Sequence, residues 1–99
     1  MTKKKVCVIG LGYVGLPMTV AIANIKKKNK HLYETYGYDN DLNKITNIQN
    51  SIKTGKLPID SLDLTLKRKF SISAKKNKIS LITDIKNINI MDVLILSVG

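Results

Sequence analysis

The sequence predicts an α/β protein built on a doubly wound parallel sheet, and three observations carry that prediction. A β-branched run, Val6-Cys7-Val8-Ile9, ends in a glycine-rich turn, Gly10-Leu11-Gly12-Tyr13-Val14-Gly15. Directly after it, apolar residues recur at spacings of three and four, the period of a helix packed on one face. Strand-like and helix-like segments then alternate to the end of the chain, and strands so arranged pair in parallel through right-handed crossovers.

Lys5 to Ile9 reads as the first strand and Gly10 to Gly15 as a turn. A helix is predicted from Tyr13 to about Lys28, with Val14, Met18, Ala21, Ile22 and Ile25 on its inner face. Pro17 sits in its opening turn, where a missing N–H costs little. Lys26, Lys27 and Lys28 fall at its C-terminal end, where cations suit the helix dipole. A turn at Asn29–Lys30 leads to a second strand, Leu32 to Tyr38. Asp39 to Asp41 end that strand and offer caps for a helix at 42–52, with Leu42, Ile45, Ile48 and Ile52 at helical spacing. Thr54 to Pro58 breaks the chain. A short helix is expected from Asp60 to about Phe70, carrying Leu62, Leu64 and Leu66. After a polar turn at Lys75–Lys78 come a third strand, Ile79 to Thr83, a short helix or turn at Asp84–Asn89, and a fourth strand, Met91 to Val98. A parallel sheet buries both faces, and no helix follows the fourth strand. The sheet is therefore expected to be truncated there, and residues 1–99 to be the N-terminal domain of a longer protein.

A length of 99 residues allows one domain. No apolar run approaches the roughly 18–20 residues of a membrane span. Met1-Thr2-Lys3-Lys4-Lys5 before an apolar stretch resembles a signal peptide, but the glycines and Pro17 interrupt that stretch and no small-residue cleavage site follows. The cytoplasm is the expected location, with no membrane partner. The single cysteine, Cys7, excludes an internal disulfide and reads as a small core residue rather than a nucleophile. No metal site is expected. The net charge of +10 raises nucleic acid as a partner. Two features argue against it: the lysines are spread in groups at 3–5, 26–28 and 75–78, and Arg68 is the only arginine. Lysine, asparagine and isoleucine together make up 39 of the 99 residues, a bias that fills solvent positions with lysine.

The turn fits G-x-G-x-x-G, and its setting of strand before and helix after predicts a dinucleotide-binding turn of the Rossmann type, with a glycine turn that merely joins strand to helix as the competing account. Gly10 permits the tight turn, Gly12 lets a pyrophosphate approach the backbone, and Gly15 lets the helix pack against the strand. The helix N-terminus then turns N–H groups and a partial positive charge toward the phosphates. Asp39 follows Gly15 by 24 residues, at the end of the second strand. A carboxylate there accepts hydrogen bonds from ribose hydroxyls and repels a 2′-phosphate, and Asn40 and Asp41 provide no arginine to hold one. The cofactor expected is NAD rather than NADP. Asp39 has a competing structural use as a helix cap, which Asn40 or Asp41 serves equally well, and Asp41 is an alternative ribose ligand.

The run from Val6 to Pro17, with Tyr13-Val14 inside the turn and Gly15-Leu16-Pro17 after it, resembles the opening of the UDP-glucose/GDP-mannose dehydrogenase family. Gly37-Tyr38-Asp39, the segment Ile48 to Ile59, Thr83-Asp84 and Asp92 to Val98 continue that similarity along the chain. The resemblance implies an NAD-dependent enzyme that oxidises the hydroxymethyl of a nucleotide sugar to a carboxylate in two hydride transfers. It further implies cofactor contacts from Tyr13 and Val14, a ribose contact from Asp39, and Lys44 near the adenosine end, where a solvated surface lysine is the competing account. A homo-oligomer is expected of the full-length form. Two segments depart from the family pattern: a long stretch from Lys26 to Thr35, and Asp60-Ser61-Leu62-Asp63-Leu64 in place of an acid-Pro-Gly-Leu run. The family's catalytic cysteine, lysine and acid match no position here, so no catalytic residue is assigned. Two other readings remain: an NAD enzyme of 3-hydroxyacyl or 6-phosphogluconate type, which the Tyr-Val-Gly-Leu-Pro run fits poorly, and a non-enzymatic nucleotide- or nucleic-acid-binding module.

Overall fold

A computed structural model of the chain describes residues 3–97. Its elements are β1 (Lys4–Ile9), α1 (Gly15–Ala23), β2 (Lys26–Lys27), β3 (Lys30–His31), β4 (Tyr33–Tyr38), α2 (Leu42–Thr54), α3 (Leu64–Lys75), β5 (Ile79–Ile82), a 3₁₀ helix (Ile85–Ile90) and β6 (Val93–Leu96). Four strands form one parallel sheet in the order β5-β4-β1-β6, while β2 and β3 form a separate antiparallel hairpin. Apart from the hairpin, the main strands therefore lie third-second-first-fourth, the order of a Rossmann-type sheet. Two successive crossovers carry the chain outward from β1 to β5, and β6 then returns to the free side of β1. The end of β1 thus lies where the winding reverses, and that point opens a crevice above the sheet.

One sheet face packs on helices through two contiguous apolar clusters. Val8, Leu11, Leu16, Ile45 and Ile48 fill the region under the turn. Val20, Ala23, Phe70, Ala74 and Ile79 fill the other end, with Phe70 fully buried. Among the described residues no helix is long and apolar enough to cross a membrane.

Three elements differ from their sequence-based prediction. α1 stops at Ala23 instead of near Lys28. Asn24 ends it: its N–H turns back to the Ala21 carbonyl, and its side-chain amide donates to the Val20 carbonyl at 2.8 Å and the Ser73 hydroxyl at 2.7 Å. Lys26, Lys27 and Lys28 consequently lie in the hairpin and not at the helix dipole. The turn of that hairpin puts Lys28 at φ 53° and Asn29 at φ 64°, the left-handed pair of a type I′ connection. The third helix is shifted toward the C-terminus, because the Asp63 carboxylate caps it by accepting the Leu66 N–H at 3.1 Å. Its buried face is Phe70, Ser73 and Ala74, whereas Leu62 and Leu64 project into solvent. β6 covers Val93–Leu96 in the expected fourth strand, and Val98 lies outside the described residues.

Candidate functional site

The turn after β1 is held by interlocked backbone. Gly10 takes φ +96°, and a Cβ there would lie 2.7 Å from the Ser97 carbonyl oxygen. A Cβ on Gly15 would fall 1.6 Å from the Gly10 carbonyl oxygen, so the start of α1 lies directly on the turn. Gly12 is different, because a Cβ built there meets nothing within 4 Å. Two glycines are thus required by the fold itself, and the middle one faces open space.

α1 begins beside that open space without a side-chain cap. Val14 occupies the N-cap position, has no acceptor to offer, and no acid stands in the first turn. Uncapped N–H groups and the positive end of a helix dipole therefore remain available to an anion. Tyr13 and Val14 are exposed at the rim.

Asp39 lies beneath this turn, 7% exposed, just past the end of β4. Its Oδ2 accepts the Leu11 N–H at 2.9 Å, and its Oδ1 accepts the Asp41 N–H at 2.9 Å. The Lys44 ammonium lies 3.4 Å from Oδ2. Burial disfavours the carboxylate, but the two backbone donors and the Lys44 charge outweigh it, and the carboxyl is held below its ordinary pKa. Two carboxylate oxygens offer about four lone-pair positions, so capacity remains for a ligand hydroxyl. The helix cap is Asp41, whose carboxylate accepts from the Asn43 and Lys44 N–H groups, and Asp39 is free of that duty. Lys44 is 41% exposed and takes part in the site through Asp39.

A cleft of about 420 Å³ opens next to Asp39, walled by Ile9, Tyr38, Ile85 and Leu96. That volume falls in the range of small-molecule pockets, roughly 300–1,000 Å³, and the apolar walls suit a flat heterocycle. A smaller hollow of about 90 Å³ spans the glycine turn, Asp39, Lys44 and Ser97. The structure therefore brings Gly10, Gly12, Tyr13, Val14, Asp39 and Lys44 together around one opening, with Gly15 supporting it from beneath. Sequence reasoning missed Ser97 and the apolar walls. Ser97 was accessible from topology alone, since the end of the fourth strand must lie against the turn of the first.

With this geometry in place, the relationships of the chain become specific. Residues 4–99 match the model of the UDP-glucose/GDP-mannose dehydrogenase family, NAD binding domain. The chain belongs to that family. UDP-N-acetyl-D-mannosamine dehydrogenases of Methanococcus maripaludis strain C7 and Methanococcus vannielii are 40% and 39% identical to it over 72 residues, 73% of this chain. The chain spans 14% of the length of these curated relatives. Among solved structures, an NDP-N-acetyl-D-galactosaminuronic acid dehydrogenase from Methanosarcina mazei shares the fold with TM-score 0.76 at 21% identity, over 98% of this chain and 20% of that one. A ternary complex of GDP-mannose dehydrogenase from Pseudomonas aeruginosa aligns with TM-score 0.68 at 26% identity, over 95% of this chain and 19% of that one. As the family's NAD binding domain, the chain has a turn that fits the cofactor: bare backbone at Gly12 faces the uncapped helix end. The stretch from Lys26 to Thr35 that departs from the family pattern holds the β2–β3 hairpin.

Proposed function

We propose that this chain is the cofactor-binding part of a dehydrogenase that oxidises the 6-hydroxymethyl of a UDP- or GDP-sugar to the uronate carboxylate. When bound, NAD would supply the hydride acceptor, one cofactor molecule for each of the two oxidations. The residues of this chain bind and orient it. The backbone from Gly10 to Gly15 receives the diphosphate on the α1 N-terminus. Tyr13 and Val14 flank it from the rim. Asp39 takes the adenosine ribose hydroxyls, and Lys44 steadies Asp39 in its ionised state. Residues 1–99 supply no catalytic group, so the sugar chemistry is assigned to a further part of the protein.

One observation carries this reading: an ionised, nearly buried carboxylate fixed directly beneath a glycine turn whose central residue faces empty space. The Methanococcus relatives named above favour a UDP-N-acetylhexosamine among the sugar substrates. Calorimetric titration of the chain with NAD and with NADP tests the cofactor part. Weak NAD binding that Asp39→Ala abolishes is expected, with NADP binding weaker still. NAD binding unaffected by that substitution would remove Asp39 from the site. No NAD reduction is expected when the chain is mixed with a UDP-sugar, and steady turnover would overturn the assignment of catalysis elsewhere.

A further inference from the structure

In the sequence the lysines fall in three groups far apart, at 3–5, 26–28 and 75–78. The fold brings these groups together. Each group immediately precedes or begins a segment that enters the sheet: β1, the hairpin leading to β4, and β5. Parallel strands all start at the same end, so what precedes each of them converges there. Register confirms the convergence, with Lys4 opposite Tyr33 and Thr35 opposite Ile79. Lys3 and Lys78 line one hollow with Tyr33. The His31 imidazole donates its Nδ1–H to the Ala23 carbonyl at 2.8 Å, and Lys78, Lys26 and Lys3, one from each group, lie within electrostatic reach of it.

This end of the molecule is opposite the glycine turn. Glu34 and Asp92 are the carboxylates near it, and Asp92 is engaged by the Lys5 N–H at 2.7 Å. Among the described residues the one lysine–carboxylate ion pair is Lys44–Asp39, at the other end. Among the described residues, therefore, no lysine at this end is held in an ion pair with a carboxylate.

The hairpin adds an apolar component. Lys26 pairs with His31 and Lys27 with Lys30, and the Leu32 N–H donates to the Ile25 carbonyl at 3.0 Å. Residues paired across an antiparallel ladder share a face, and successive pairs alternate. One hairpin face therefore presents Lys27 and Lys30 beside Ile25 and Leu32, and the latter two are 41% and 39% exposed. Lysines around an exposed aliphatic pair match a surface that is anionic at its headgroups and apolar just beneath. Nucleic-acid recognition draws on arginine and stacking aromatics, and the lone Arg68 lies within α3, outside the three lysine groups.

We propose that the lysine-rich end of the sheet, led by the Lys26–His31 hairpin, docks this protein on an anionic phospholipid surface, with Ile25 and Leu32 seated at the headgroup boundary. The mouth of the dinucleotide crevice then faces away from the bilayer and stays open. The proposal uses no residue of the cofactor site. It revises the expectation of no membrane partner, which rested on the lack of an apolar run long enough to span a bilayer, a length that surface docking does not need.

Vesicle flotation tests it, using phosphatidylcholine alone and phosphatidylcholine mixed with phosphatidylglycerol. Binding to the mixed vesicles only, weakened by salt, is expected. Lys27→Glu/Lys30→Glu should lower the partition coefficient about tenfold or more, whereas Lys67→Glu/Lys86→Glu, equal in charge change but distant from the hairpin, should lower it far less. Ile25→Ser/Leu32→Ser should abolish the fraction that survives high salt. Equal loss in both charge variants would reduce the effect to net charge and overturn the proposal. Binding of homopolymer RNA tighter than that of vesicles, with the same hairpin dependence, would also overturn it. Circular dichroism of each variant confirms folding, and NAD titration separates this outcome from the fate of the cofactor reading.

Discussion

The Leu11 N–H donates a 2.9 Å hydrogen bond to Asp39 Oδ2 across 28 positions of sequence. That bond ties the glycine turn to the end of β4, so the phosphate cradle and the carboxylate beside it are parts of one rigid unit. Asp39→Ala leaves the Leu11 and Asp41 donors without their acceptor and should cost about 1–3 kcal/mol of stability. Urea denaturation measures this. Asp39→Asn, which keeps an acceptor, should recover part of the stability but not the NAD affinity.

Acid should weaken the fold through the same group. The Asp39 carboxyl is held below its ordinary pKa in the folded chain. Its contribution is therefore complete above the unfolded value, about 3.9, and is lost as pH falls through the folded value. Urea midpoints measured from neutral pH downward should drop in that window, and Asp39→Asn should flatten the drop. An identical acid limb in both proteins would exclude Asp39 as its source.

The turn separates folding from binding. Gly15→Ala drives a methyl into the Gly10 carbonyl and should destabilise by about 3 kcal/mol or more. Gly12→Ala meets no atom, so stability should change by less than about 1 kcal/mol. Its NAD affinity should nevertheless fall about tenfold, because the methyl occupies ligand space. Thermal melts and calorimetry on the two variants distinguish these effects.

The hairpin turn carries strain that can be relieved. Lys28 and Asn29 both adopt positive φ, for which Asn-Gly is the favoured pair. Asn29→Gly, alone or with Lys28→Asn, should raise stability by roughly 0.5–1 kcal/mol, read from the urea midpoint.

Cys7 should be silent until the chain opens. It is fully buried, and burial pushes its thiol up to about 11. Reaction with a disulfide reagent at neutral pH should follow the unfolding rate, and addition of urea should release it.

The glycine turn, Asp39 and the alternation of elements were legible in the sequence because each obeys a local rule: a steric demand at bare backbone, a spacing, a period. The end of α1 was not, because Asn24 stops it by reaching Ser73, a contact between residues distant along the chain. The third helix was misplaced for a related reason. Leu62 and Leu64 imitate a buried stripe, and only the Asp63 cap and the burial of Phe70 reveal where the helix runs. The Lys44–Asp39 pair followed from no local pattern either, since the helix rotation that points Lys44 at Asp39 is set by packing of Ile45 and Ile48 under the turn.

Among the described residues β6 pairs with β1 alone, and Leu94 and Leu96 stand exposed along it. A strand with unmet backbone donors and aliphatic side chains is a template for another strand. Purified alone, the chain should therefore self-associate as its concentration rises, through a growing ribbon of copies. A charge placed at Leu94, which is exposed on the same strand but lines no part of the cofactor cleft, would keep it dispersed for every measurement described above.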